Sequence, residues 1–138
     1  MEEREVKRMK DRCLFKAKIC NGEWVAGFLH CKNDKWYISN KAGSPFAFEV
    51  RPDTICQCTG LKDKNGKLIW ENDVVGFWDT YSTENGQAEM NCIGKVVWDD
   101  ETISFQVTNR LSAESYEVLD ECSVIGNVFD NPELIKER

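Results

Sequence analysis

Thr-Gly-Leu-Lys-Asp-Lys-Asn-Gly-Lys-Leu-Ile-Trp-Glu-Asn-Asp-Val-Val-Gly-Phe, residues 59–77, is the stretch that decides the fold. Its centre is the pair Asn65-Gly66. This pair predicts a two-residue type I′ hairpin turn, because Asn and Gly tolerate positive φ angles better than other residues. Leu61 before the pair, and Leu68 and Trp70 after it, supply apolar side chains to bury. The chain is therefore expected to reverse direction here between two strands.

A second reversal is predicted at Glu71-Asn72-Asp73. Asn72 can take the left-handed conformation at small cost, and residues 74–78 then read as a strand. Asp73, partly buried behind this turn, is expected to accept hydrogen bonds from backbone N–H groups rather than to perform acid–base chemistry. Asn65, Gly66, Asn72 and Asp73 are therefore interpreted as structural turn residues.

Residues 57–67 and 69–75 resemble the central motif of the YopX family, which phages and prophages of bacteria encode. The segments 14–18, 21–28 and 124–134 resemble further family positions in the same order. The resemblance implies a compact, mostly β fold and a phage setting, and it implies no catalytic residues. Asn72 stands where the family usually has Gly, and Cys56 and Cys58 stand where it commonly has Gly and Tyr, so a role for this cysteine pair would not be a family role.

Length and composition favour one soluble domain. The chain has 138 residues and a formal net charge of -6, and 41% of its residues are hydrophobic, which suits a single core. The charged N-terminus lacks the apolar segment of a signal peptide, and no apolar run is long enough to span a bilayer. Residues 1–10 suit a short solvated helix or a disordered segment, and we interpret residues 1–11 as a charged, flexible leader. We further expect a single domain over residues 12–138 and a cytoplasmic protein without membrane contact.

The cysteine pattern favours free thiols. Seven cysteines and one histidine, with no Cys-x-x-Cys pair, support neither a disulfide framework nor a standard zinc site. Cys56 and Cys58 would share one strand face, but buried small apolar side chains are the commoner explanation. The sequence predicts no metal and no cofactor.

Short alternating segments predict several antiparallel hairpins, with turns at Asn21-Gly22 and Asn33-Asp34. Strands are expected near residues 15–19, 24–29, 36–38, 46–50, 94–98, 103–107 and 124–129, and Ile103, Phe105 and Val107 are expected on one face. The polar run 79–91 is interpreted as a long loop, residues 111–119 as a loop or one helical turn, and Asn131-Pro132-Glu133 as the start of a short C-terminal helix.

This pattern predicts a mainly β fold. We expect a small, partly closed antiparallel barrel or pseudo-barrel with SH3-like features, or else two small packed sheets. The SH3-like part rests on analogy.

Aromatic residues are the least ordinary feature, with five Trp in the chain. Trp78 and Tyr81, beside the polar run, are predicted to be surface-exposed and to form an interaction surface. Core packing alone would explain about half of the aromatic residues.

Three functions remain open. The first is a non-enzymatic binding module in phage biology that acts through protein contacts or self-association. The second is a nucleic-acid-associated regulator that uses Lys62, Lys64 and Lys67 with a neighbouring aromatic ring, which the net charge disfavours. The third is a cation-dependent hydrolase built on Asp73, Asp79 and the acidic turn 99–101, for which no carboxylate pair has a defined separation. His30, the one imidazole in the sequence, is interpreted as an exposed residue at a strand end rather than as a catalytic base.

Overall fold

The chain divides into two compact units, Met1–Gly60 and Leu61–Arg138. The structure is a computed structural model that describes residues 3–40, 46–109, 115–117 and 121–135. The prediction of one domain over residues 12–138 stays a prediction. None of the helices in the described ranges is both long and apolar enough to cross a membrane.

The N-terminal unit combines one helix with an antiparallel sheet. Helix α1 (Glu3–Arg12) is followed by β1 (Phe15–Lys18), β2 (Trp24–Lys32), β3 (Lys35–Ser39), β4 (Phe48–Glu49), a 3₁₀ turn (Pro52–Thr54) and β5 (Cys56–Lys62). The strand order in this unit is β4-β3-β2-β1-β5. Over residues 3–12 the structure thus shows a mostly exposed helix where the sequence was interpreted as a flexible leader.

Tight turns set the register of this sheet. Asn33 and Asp34 join β2 to β3 with φ angles of 53° and 64°, which is the geometry of a type I′ hairpin. At the β1–β2 turn, Asn21 Oδ1 accepts a 2.9 Å hydrogen bond from the backbone N–H of Glu23. Both hairpins confirm turns that the sequence predicted.

Alternation along the strands builds the core of the N-terminal unit. Ala17, Ile38 and Val50 are buried, and they contact Val25 and Leu29 among others. Ala17 lies opposite Val25 and Leu29 opposite Ile38, so one face of the sheet carries the apolar side chains.

The C-terminal unit contains the second sheet. Its strands are β6 (Leu68–Trp70), β7 (Asp73–Thr83), β8 (Gly86–Asp99), β9 (Ser104–Asn109), β10 (Ser115–Glu117) and β11 (Ser123–Asn127), followed by a 3₁₀ turn (Pro132–Leu134). Five of them form a sheet in the order β10-β9-β8-β7-β11. The buried core of this unit comprises Ile69, Val75, Val96, Val107 and Cys122.

The polar run 79–91 is not a loop. Its residues continue β7 and β8 into a long hairpin that is paired from Val74 with Lys95 to Thr83 with Gly86. Most of the run is exposed on both faces, so it has no apolar alternation to mark it as strand. The backbone hydrogen-bond ladder begins in the buried half of the hairpin and continues into this exposed half, so the two strands pair there without apolar side chains.

Three smaller predictions were also wrong. Ile103 lies outside β9 with a φ of 53° and a side chain that is 75% exposed, so it does not share the face of Phe105 and Val107. Within residues 111–119 the described part, Ser115–Glu117, is strand β10; the remainder lies outside the described residues. The C-terminal helix is only a 3₁₀ turn, because Asn131 does not cap it and Asn131 Oδ1 instead accepts a hydrogen bond from the N–H of Asn127.

The mainly β prediction is confirmed, but the described strands form two antiparallel sheets and no closed barrel. In the C-terminal unit the reason is visible at β11. Lys64 N–H donates to the carbonyl of Cys122, and Asp63 accepts from Val124 N–H. The turn at Asp63 and Lys64, rather than another strand, therefore covers the outer edge of β11. This turn prevents the sheet from closing into a barrel.

Candidate functional site

The turn at Asn65-Gly66 reverses the chain as predicted, but its type differs. Gly66 has a φ of 81°, whereas Asn65 is not among the residues with positive φ. Gly66 N–H donates to the Asp63 carbonyl, and Asp63 N–H donates to the Lys67 carbonyl. The loop is thus a three-residue hairpin in which a type I turn is followed by a left-handed glycine.

Asp63 explains this change of turn type. Its side chain is buried, and Oδ1 accepts hydrogen bonds of 2.9 Å from the backbone N–H groups of both Asn65 and Lys67. Such a side-chain acceptor holds the chain in a type I turn. A prediction from Asn65-Gly66 alone misses it, because the deciding residue precedes the pair.

The Asp63 carboxylate carries a perturbed pKa. Burial alone would raise the pKa, but the N–H groups of Val124, Lys67 and Asn65, together with the Lys67 charge, outweigh burial and hold the pKa below its ordinary value of 3.8. The group is therefore ionised at neutral pH, as an acceptor of three N–H bonds should be.

The second predicted turn is confirmed. Asn72 has a φ of 69°, and its backbone N–H donates to the Val96 carbonyl. Asp73 is buried, and its Oδ2 accepts a 2.8 Å hydrogen bond from Trp70 N–H. Asp73 is thus a backbone acceptor, as the sequence suggested.

A groove of about 250 Å³ lies on the outer face of the second sheet. Gly76 and Trp78 of β7 line it together with Ile93 of β8 and Ile125 of β11. Gly76 pairs with Ile93 on one side and with Ser123 on the other. A Cβ at Gly76 would stand 4.0 Å from Ile125 Cγ2, so the missing side chain leaves the floor of the groove open.

Trp78 is the largest apolar group of the groove, and 65% of its surface is exposed. Ile125, which is 44% exposed, is the extra residue at a register shift between Val124 and Gly126. A β-bulge of this kind redirects the side chain of the inserted residue. Two large apolar side chains therefore stand in solvent on one sheet face.

Opposite charges border the groove, because Lys64 and Glu121 both line it. The predicted interaction residues are thus partly assembled: Lys64 and Trp78 share the groove. Lys62 and Lys67 are exposed, but neither is among its lining residues. Tyr81 lies in β7 opposite Ala88, and its side chain is outside what the structure describes.

The carboxylates that the hydrolase hypothesis would require have structural partners. Asp79 Oδ1 accepts from Thr80 N–H, Asp99 Oδ1 accepts from Glu101 N–H, and Asp100 Oδ1 accepts from the Trp98 indole, at 2.8 to 2.9 Å. In the acidic turn, two of the three acids therefore hold their own hairpin together.

The remaining candidates also have local explanations. Cys56 and Cys58 are buried, and the Cys56 thiol donates to the Thr54 carbonyl at 3.3 Å. His30 is exposed and stacks on Tyr37 with ring centroids 5.6 Å apart. Within the described residues, no cluster of three or more His, Cys, Asp or Glu side chains has the arrangement of a metal site.

Ile93, Ile125 and Gly76 were not singled out from the sequence. Ile93 falls between the polar run 79–91, interpreted as a loop, and the strand expected over residues 94–98, and Ile125 projects outward only because of the bulge. The proximity of Gly76 to both depends on strand order, which no local pattern carries. A strand reading of residues 86–93 would have found Ile93.

Comparison with known proteins agrees with the motif in residues 57–75. No protein among the curated sequences matches the chain. The family model described as YopX protein matches residues 2–136. With nearly its whole length covered, the chain belongs to the YopX protein family.

Proposed function

We propose that this protein is a non-enzymatic binding module, encoded by a phage or prophage and acting in the bacterial cytoplasm, that holds a protein segment in the groove around Trp78. We also propose that the fold shares features with small SH3-like barrels, as expected from the sequence. The observation that carries it is the indole of Trp78, 65% exposed beside Ile93 and Ile125.

The chemistry of the groove favours a protein ligand. Large exposed aromatic side chains in apolar clefts are the usual anchors of protein interfaces. The neighbouring Lys64 and Glu121 offer one charge of each sign, which suits a polypeptide with mixed charges better than a polyanion. Gly76 leaves room for one apolar side chain of the ligand.

The engaged carboxylates support the non-enzymatic part of the proposal. Asp63 and Asp73 are buried and accept backbone N–H bonds, and Asp79 bonds to the residue that follows it. These roles account for the acidic side chains without a reaction.

Site-specific photocrosslinking tests the groove. A photoreactive phenylalanine analogue is placed at position 78 of the full chain in cells that carry its gene, and the matched control carries it at Ile103, an exposed position outside the groove lining. We expect one specific cross-linked protein from position 78 and none from position 103. Gly76→Val, which fills the floor, should abolish the product.

Purified components then separate the outcomes. Binding of the identified partner should weaken at least about tenfold in Trp78→Ser, the size of effect typical of an anchor residue. A product with twice the mass of the chain identifies the partner as a second copy. Equal cross-linking from positions 78 and 103, or none from either, contradicts the proposal.

A further inference from the structure

The net charge of -6 hides a strong asymmetry. Residues 1–60 contain 11 Lys or Arg and 8 Asp or Glu, a formal charge of +3, whereas residues 61–138 contain 7 and 16, a formal charge of -9. The negative charge that disfavours binding of a polyanion therefore lies in the C-terminal unit. The N-terminal unit does not carry this net negative charge.

Part of the positive charge of the N-terminal unit lies on one sheet face, beside aromatic side chains. Val25 and Leu29 point to the core, so alternation places Trp24, His30 and Lys32 on the opposite face of β2. Directly opposed residues share a face; Lys18 faces Trp24, and Tyr37 faces His30. By the same rule Lys35, opposite Lys32, and Glu49, opposite Tyr37, also lie on this face. We call this surface the basic aromatic face; it comprises Lys16, Lys18, Trp24, His30, Lys32, Lys35, Tyr37 and one acidic residue, Glu49.

Trp24 and two lysines form its first ring site. Lys16 Nζ lies 4.9 Å and Lys18 Nζ 5.3 Å from the centroid of the Trp24 ring. These are cation–π distances. A partly exposed indole is thereby held beside two ammonium groups, which is the combination that binds a base and its phosphate.

His30 and Tyr37 form a second ring site. The two rings stack with a centroid distance of 5.6 Å and an interplanar angle of 16°. Lys32 and Lys35 face each other at the end of the same hairpin. Lys35 Nζ is 3.6 Å from Glu49 Oε1, which offsets one of these two charges.

Each of the two ring sites contains one residue of β2, Trp24 in the first and His30 in the second. Trp24 and His30 are six positions apart, which is roughly 20 Å along β2 at the rise of a strand. Between them the same face carries Ala26, which is exposed, and Phe28, which is partly exposed. An extended strand of a few nucleotides spans such a distance, and small sheets that bind single strands use sites of this length.

We propose that the basic aromatic face binds single-stranded nucleic acid, with bases stacked on Trp24 and on the His30–Tyr37 pair and phosphates neutralised by Lys16, Lys18 and Lys32. A duplex hides its base faces inside its own stack, so ring sites select an unpaired strand. This activity is separate from the groove around Trp78 and does not depend on it.

The test measures binding of the full chain to labelled oligo-dT and oligo-U of about 20 nucleotides by fluorescence anisotropy, from low to moderate salt. We expect Lys16→Gln with Lys18→Gln to weaken binding and to lower the slope of log K against log salt by about 1.4, since each single-strand phosphate contact contributes about 0.7. The matched control, Lys62→Gln with Lys67→Gln, changes charge equally outside both the face and the groove and should leave both quantities unchanged.

Two competitors identify the ligand class. An abasic strand of the same length should bind about tenfold more weakly or worse, because it retains the phosphates and lacks the stacking. Poly-glutamate should compete poorly. Absence of binding at low salt, equal binding of the abasic strand, effective competition by poly-glutamate, or loss of binding only in the Lys62 and Lys67 variant would each overturn the proposal.

Discussion

Asp63 Oδ2 accepts a 2.9 Å hydrogen bond from the backbone N–H of Val124, 61 residues later in the chain. Lys64 N–H donates to the Cys122 carbonyl beside it, and Asn65 Nδ2 donates to Ser123 Oγ. The hairpin turn that dominates the sequence motif is therefore also the element that fixes the edge strand β11.

We expect Asp63→Asn to lower the free energy of unfolding by about 2 to 3 kcal/mol, because an amide cannot accept at both former oxygens and would turn N–H towards N–H. Urea denaturation measures the loss. Asp34→Asn is the matched control, since Asp34 is exposed with a φ of 64° that Asn tolerates. A loss within 0.5 kcal/mol of the control, on the order of an ordinary surface change, would contradict the role of Asp63.

The same carboxylate predicts a pH dependence. Its pKa in the folded chain lies below the ordinary value of 3.8, so its contribution to stability is complete above that value and is lost as the pH falls through the folded pKa. The stability difference between the wild type and Asp63→Asn should therefore shrink on acidification below the ordinary carboxylate pKa. Urea midpoints of the two proteins across that range measure it, and a constant difference would show that the charge of Asp63 is not responsible.

Replacement by alanine should affect the stability of the protein very differently at two glycines of the second sheet. A Cβ at Gly94 would clash with the Thr108 carbonyl oxygen, whereas the nearest atom to a Cβ at Gly76 is 3.9 Å away. Gly94→Ala should thus destabilise the protein severely or prevent folding, and Gly76→Ala should fold normally. Thermal unfolding compares them; a stable Gly94→Ala protein would mean that β8 and β9 do not approach as described.

A substitution in the core should lower the free energy of unfolding more than a substitution in the groove. Ile69 is fully buried, so Ile69→Ala is expected to cost about 2 to 5 kcal/mol. Trp78→Ser removes a mostly exposed side chain and should cost well under half of that. Chemical denaturation of both variants checks the contrast. Similar losses would place Trp78 in the core and remove the basis of the groove.

The cysteines predict a labelling pattern. Cys13, Cys20 and Cys31 are exposed, while Cys56, Cys58, Cys92 and Cys122 are buried. A thiol reagent should modify the first three in the native protein and the other four only on unfolding. Mass spectrometry after timed labelling identifies the sites, and rapid native labelling of Cys56 or Cys58 would contradict their burial.

Local signals predicted much of this fold. Asn72 needs a left-handed conformation and has it, and Asn33-Asp34 forms the expected tight turn. At these positions the residue types alone were sufficient to predict the turn. The Asn65-Gly66 turn departs from its expected type because the Asp63 side chain bonds to the loop.

Features that depend on partners were harder to predict. The segment 79–91 is strand although it is polar, because its backbone continues a ladder that begins in the core. Exposure of Trp78 followed from its position near that segment, but the groove needed strand order and the bulge at Ile125. The basic aromatic face could not be seen from the total charge, which averages two units of opposite sign.

The bond between Asp63 and Val124 also sets an order of events during synthesis. A translating ribosome adds about 5 to 20 residues per second, so Asp63 is made roughly 3 to 12 seconds before its distant donor. Over that interval the β7–β8 hairpin can form from neighbouring residues, while the flank of β7 that β11 later covers stays open to other chains. Slow translation of the last third of the message should therefore increase aggregation of the nascent protein.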